Sequence, residues 1–150
     1  MCRRYPVALI AALAPLAAAG AEPPPIVTEA VIAAPVAAVW KAYTDRAELE
    51  RWAVGTSSDI ELKIGGQWRT SYERGSTLDD ERVIHNEVLA LDPPRMLAVR
   101  TVKTPSDFPF PNAILQTWTV MYFEPVDASS TRVTVTMLGY TDADESQRMR

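Results

Sequence analysis

The spacing of apolar residues changes character along the chain. From Ile26 to Ile32, β-branched residues alternate loosely with polar ones, which predicts a strand. Val36, Val39, Trp40 and Tyr43 then recur at i, i+3, i+4 and i+7, the signature of one apolar helical face. Pro35 is placed at the first helical position, where its missing N–H costs nothing. Asp45 breaks this helix and caps a second. Glu48 follows three residues later, as in a capping box, Leu49 and Trp52 supply the apolar stripe, and Gly55 is the expected stop.

Beyond Gly55 the period is two. Ile60, Leu62 and Ile64 alternate with Asp59, Glu61 and Lys63. After Gly65-Gly66, the residues Trp68, Thr70 and Tyr72 alternate with Gln67, Arg69 and Ser71, so a hairpin is predicted. Gly75 and Asp79-Asp80 mark the next turn. Strands follow at Arg82 to Leu91, Met96 to Val102, Ile114 to Phe123 and Thr131 to Leu138. The prolines between Lys103 and Asn112 forbid regular structure there, and Pro125 to Ser130 join the last two strands. The order is one strand, two short helices and six strands, an antiparallel meander. Several strands are apolar on both faces, as with Ile84 and Val88 against Val83 and Leu89. A sheet with one wet face alternates cleanly, so this sheet needs an apolar cover larger than two short helices.

Residues 1–21 follow a different rule. Arg3-Arg4 precede an apolar run from Val7 to Leu16, and Ala17 to Ala21 is almost wholly small. That pattern predicts a secretory signal peptide, cleaved after Ala21, and hence a secreted or periplasmic protein. The run is shorter than the roughly 20 residues a spanning helix needs and holds Pro15, so no stable membrane anchor is expected. Cleavage would remove Cys2, Arg3 and Arg4. Residues 22–25, Glu-Pro-Pro-Pro, read as a stiff extended leader, and residues 26–150 as one domain.

Composition narrows the chemistry. The chain of 150 residues has 47% hydrophobic residues and a net charge of -4, which gives no electrostatic case for nucleic acid. One Cys and one His exclude an internal disulfide and argue against a zinc site. No metal or other cofactor is expected.

Several segments, taken in order, resemble the START-like or Bet v-type (SRPBCC) superfamily. They are Pro35 to Asp45 with Leu49 and Trp52, then Gly65 to Arg69, then Leu89 to Leu97, and finally Phe123-Glu124-Pro125 with Thr131 to Thr136 and Gly139-Tyr140. The branch they resemble most is named for the C-terminal domain of the activator of heat-shock protein ATPase. The resemblance implies an α+β helix-grip fold: a seven-stranded antiparallel sheet curled around a long C-terminal helix, with an apolar cavity between them. That helix should follow Tyr140. Thr141 to Ser146 reads as its start, with Asp142 as cap and Glu145 three residues on. A helix spanning a sheet of ~30 Å needs about 20 residues, so the C-terminal helix is read as truncated and the chain as a fragment. An inner face left open would favour a homodimer.

The aromatic and flexible apolar residues Trp52, Trp68, Tyr72, Phe108, Phe110, Trp118, Met121, Phe123 and Met137, with His85 as a polar anchor, are the expected ligand-binding set. Packing the core is the competing role for each of them. His85 shares a strand face with Glu87, and its pKa near neutrality suits acid–base work. No Gly-x-Ser-x-Gly motif is present. Asp79, Asp80 and Glu81 lack calcium-loop spacing and read as solvated turn carboxylates. Phe108 and Phe110, stiffened by Pro109, are expected either to gate a cavity mouth or to tuck onto the core. The reading is a secreted START-like domain that buries a small hydrophobic molecule without covalent chemistry. The alternatives are a polyketide cyclase or dehydratase-type enzyme using His85, Glu87 or Tyr72, and a chaperone-linked interaction module.

Overall fold

The computed structural model describes residues 22–53, 57–73, 75 and 77–150. The predicted signal segment and the Gly55 helix stop lie outside these residues. Seven strands form one antiparallel sheet in the order β1-β7-β6-β5-β4-β3-β2. β1 (Ile26–Ile32) leads into α1 (Val36–Thr44) and α2 (Arg46–Trp52). The meander follows: β2 (Ser57–Ile60), β3 (Gln67–Ser71), β4 (Ile84–Asp92), β5 (Met96–Lys103), a short α3 (Pro111–Ile114), β6 (Trp118–Asp127) and β7 (Ser130–Leu138). α4 (Asp144–Met149) ends the chain. The architecture is the α+β helix-grip arrangement. Among the described residues no helix is long and apolar enough to cross a membrane.

The sheet has an inner and an outer face, set by register. Met121 pairs with Leu97 and Val135, and Phe123 with Val133. Residues directly opposite in an antiparallel pair share a face, so these side chains converge and form the core with Val39, Val88 and Val99. α1 lies across β6 and β7 and supplies the apolar stripe read from the sequence. Phe123, fully buried, receives Trp40 edge-on at 5.5 Å between ring centroids and Tyr43 at 5.2 Å. The outer face carries cross-strand ion pairs: Asp59–Arg69, Glu87–Arg100 and Glu29–Arg132, at 2.9, 2.7 and 3.1 Å. Asp45 caps α2 as expected, accepting the Glu48 N–H on its carboxylate.

Five boundaries differ from the sequence reading. α1 begins at Val36, and Pro35 is its N-cap rather than its first helical residue. Leu62 and Ile64 are not strand residues; both are exposed in the connection from β2 to β3. Gly66 folds that connection back so tightly that a Cβ there would lie 2.2 Å from the Glu61 carbonyl, and Gly65 and Gly66 pair with Val88 on β4 instead of closing a two-residue turn. Ile114 sits in α3, because Pro111 opens a helix where a strand was expected to begin shortly after. β6 starts later, at Trp118, and runs through Pro125 to Asp127. β5 pairs with β6 only from Trp118 to Tyr122, so the missing amide of Pro125 lies beyond that ladder. Finally, α4 is capped at Ala143 without a side-chain bond, not by Asp142. Glu145 turns away and accepts the backbone N–H groups of Asn112 and Ala113 at 2.9 and 3.2 Å, capping α3 from across the fold.

Candidate ligand pocket

A partly open pocket of about 160 Å³ lies between the end of α1, α2 and the inner face of β2 and β3. The helices contribute Tyr43, Leu49 and Trp52, and the strands Ser58, Trp68 and Thr70, with Tyr72 at the rim. The inner-face placement follows from register: Trp68 pairs with Asn86 and Asn86 with Thr101, in step with Val88 and Val99 of the core. Ser58 pairs with Thr70 and Ile60 with Trp68, which brings β2 onto the same face.

Each wall is held in place. The Trp52 indole N–H donates to the Ala42 carbonyl at 2.7 Å, and its ring lies 5.6 Å from that of Tyr43. The Trp68 indole N–H donates to Ser58 Oγ at 2.9 Å. Ser58 Oγ also lies 3.2 Å from Thr70 Oγ1 and 3.3 Å from the Arg69 carbonyl. Ser58 and Thr70 are both buried. Burial pushes the Tyr43 phenol up from its ordinary value, so this wall is uncharged at neutral pH. A second, wider groove of about 350 Å³ lies on the other side of Tyr43 and Trp52, against Ile32 and Ala38.

Trp52, Trp68 and Tyr72 are thus the sequence-expected residues that converge on this pocket. Met121 and Phe123 belong to the core beneath α1 and do not line this pocket. Met137 accepts the Tyr140 hydroxyl on its sulfur at 3.2 Å. Trp118 lies three positions from Met121, on the outer face, and rests on Gly139; a Cβ on Gly139 would meet its ring at 2.7 Å. Phe108 and Phe110 are half-buried ahead of α3, and neither lines the pocket. His85 pairs with Arg69 and Lys103, on the face opposite Trp68. Desolvation, then the charges of Lys103 and Arg69, hold its imidazole below the ordinary value. Glu87 binds Arg100 through two hydrogen bonds at 2.7 and 3.0 Å. Sequence reasoning missed Tyr43, which it assigned to the helix face alone, and Ser58 and Thr70, whose only signal was their place in alternating strands. Among the described residues no group of three His, Cys, Asp or Glu is placed to hold a metal ion.

A curled antiparallel sheet with two helices over one end is the frame of the START-like, SRPBCC class. The family model of the activator of Hsp90 ATPase homolog 1-like protein matches residues 33–150, and the chain belongs to that family. Solved structures agree on the fold. A protein from Mesorhizobium loti has 21% identity and a TM-score of 0.62, over 83% of this chain and 82% of that one. An HSP90 activator from Plasmodium falciparum has 17% identity and a TM-score of 0.60, over 85% of each chain. Norcoclaurine synthase from Thalictrum flavum, solved with dopamine and hydroxybenzaldehyde, has 12% identity and a TM-score of 0.52, over 75% of this chain and 66% of that one. A search of curated protein sequences gives no match.

Proposed function

We propose that this protein binds a small hydrophobic molecule in the pocket between α1, α2, β2 and β3. The observation that carries the reading is the convergence of Tyr43, Trp52, Trp68 and Tyr72 around a small pocket whose wall also holds the buried, hydrogen-bonded pair Ser58 and Thr70. Ligand sites are apolar cavities with a few fixed polar groups. Burial of apolar ligand surface, worth roughly 25 cal/mol per Å² before entropic losses, supplies the affinity. Norcoclaurine synthase, with its two small ligands, supports the use of this fold for small molecules. For the acid–base alternative, His85 is on the outer face and Glu87 is engaged by Arg100, which leaves Tyr72, at the pocket rim, as its remaining residue. Residues 1–21 would export the domain before it binds its ligand. Native mass spectrometry of the purified protein tests the reading. A co-purified small molecule, lost on Trp68→Ala, is expected; an empty protein that also takes up no added hydrophobic compound would overturn it.

A second reading follows from family membership. A chaperone co-activator would stimulate the ATPase of Hsp90, as the Plasmodium protein's description suggests for that chain. Stimulation that survives filling or blocking the pocket would favour it over ligand binding.

A further inference from the structure

The pocket's volume and its proton count together specify a ligand class. This inference deepens the reading of the same site as a hydrophobic pocket and rests on it. About 160 Å³ is close to the ~150 Å³ of an apolar cavity that accepts benzene. A fused bicyclic ring or a long alkyl chain would project from it past the exposed Trp52 and Tyr72. The walls favour a flat occupant, because four aromatic side chains offer π faces or edges for offset or edge-on stacking.

The polar end is decided by counting hydrogens. Ser58 Oγ has one proton and two lone pairs. It meets three neighbours: the Trp68 N–H, the Arg69 carbonyl and Thr70 Oγ1. The Trp68 N–H only donates and the Arg69 carbonyl only accepts. All three contacts are satisfied together only when Ser58 gives its proton to Arg69 and accepts from both Trp68 and Thr70. Thr70 has then spent its proton on Ser58. Its hydroxyl oxygen keeps acceptor lone pairs for which the described residues offer no donor. Thr70 is buried in the pocket wall, so its oxygen, already partnered by Ser58, keeps spare acceptor capacity at an otherwise apolar site.

We propose that the pocket takes a single six-membered aromatic ring bearing a hydrogen-bond donor, a phenol or an aryl N–H, with Thr70 Oγ1 as the acceptor that selects it. Phenol, toluene, anisole and naphthalene are the probes, titrated against the full chain and followed by tryptophan fluorescence and ligand-observed NMR. Phenol is expected to bind at least fivefold more tightly than anisole, which has a similar shape but no donor. Thr70→Val should lower phenol affinity at least fivefold and leave toluene affinity within twofold, whereas Thr70→Ser should retain the preference. Toluene binding by Thr70→Val also reports that the variant is folded; if that variant does not fold, the Thr70→Ser comparison and the phenol-to-anisole ratio decide.

Equal affinity for phenol and anisole would overturn the acceptor assignment. Naphthalene binding as tightly as toluene would overturn the single-ring limit. Failure of all four probes, with uptake of a larger hydrophobic compound, would sink this inference while sparing the binding function. Failure of every hydrophobic compound would sink both.

Discussion

Ser58→Ala tests the hub on which the pocket is built. Ser58 is 1% exposed, so bulk water has little access to its hydroxyl. The substitution leaves the Trp68 indole N–H without its acceptor and Thr70 without its acceptor for the hydroxyl proton. An orphaned buried donor costs about 1–3 kcal/mol, and an ordinary intramolecular bond contributes about 1. Trp68 is only half-buried, which favours the lower end for its N–H, so the expected loss is about 2 kcal/mol. Trp68→Phe removes the donor itself and should cost about 1–2 kcal/mol, because Ser58 keeps two other neighbours. The double variant has no orphaned indole N–H. It should be more stable than the summed single effects imply by about 1 kcal/mol, since groups sharing one network are non-additive. Urea unfolding followed by far-ultraviolet circular dichroism measures all four proteins without relying on Trp68 as the fluorophore. Additivity within about 0.3 kcal/mol, or a Ser58→Ala loss below about 0.5 kcal/mol, would refute the hub.

Other consequences reach beyond the pocket. Phe123→Ala empties the centre of the core beneath Trp40 and Tyr43 and should cost about 3–5 kcal/mol in chemical denaturation, enough to leave a marginal fold. Gly139→Ala should destabilise far more than Gly75→Ala in thermal melts: both sites have positive φ, but only at Gly139 would a Cβ meet the Gln116 carbonyl, at 2.4 Å. The Ala113 N–H, followed by Asn112, holds the Glu145 carboxyl below its ordinary value. Its contribution is therefore complete above the unfolded carboxyl value and is lost as pH falls through the lowered folded value. Hydrogen exchange at the Asn112 and Ala113 amides should accelerate over that acid window in the native protein, and Glu145→Gln should remove most of the pH dependence. His85 should titrate below its ordinary value in an NMR pH series, and His85→Ala should leave ligand affinity unchanged because the ring lies across the sheet from the pocket.

The frame of this fold was legible because it rests on periodicity. The α1 stripe at Val36, Val39, Trp40 and Tyr43 and the Asp45 cap are local signals, and both hold in the structure. The meander was legible for the same reason, while its boundaries at Leu62, Ile114 and Pro125 depended on which strand lies alongside. The pocket was legible only in its large aromatic members. Trp52, Trp68 and Tyr72 stand out by type, but Ser58 and Thr70 gain meaning only from the register that places them opposite each other. Alternation put Met121 and Phe123 inside the fold without distinguishing a filled core from a cavity wall. His85 and Glu87 share a strand face as read, yet Glu87 is taken by Arg100 from the next strand, a choice invisible in local sequence.

A small aromatic ligand in the space between α1, α2, β2 and β3 would lie against Thr70 and Trp68. Intermolecular nuclear Overhauser effects between bound phenol and the protein report that placement. Contacts are expected from the phenol ring to the Thr70 methyl group and the Trp68 indole. Contacts to Trp118 or Tyr122 on the outer face, with none to Thr70 or Trp68, would contradict it.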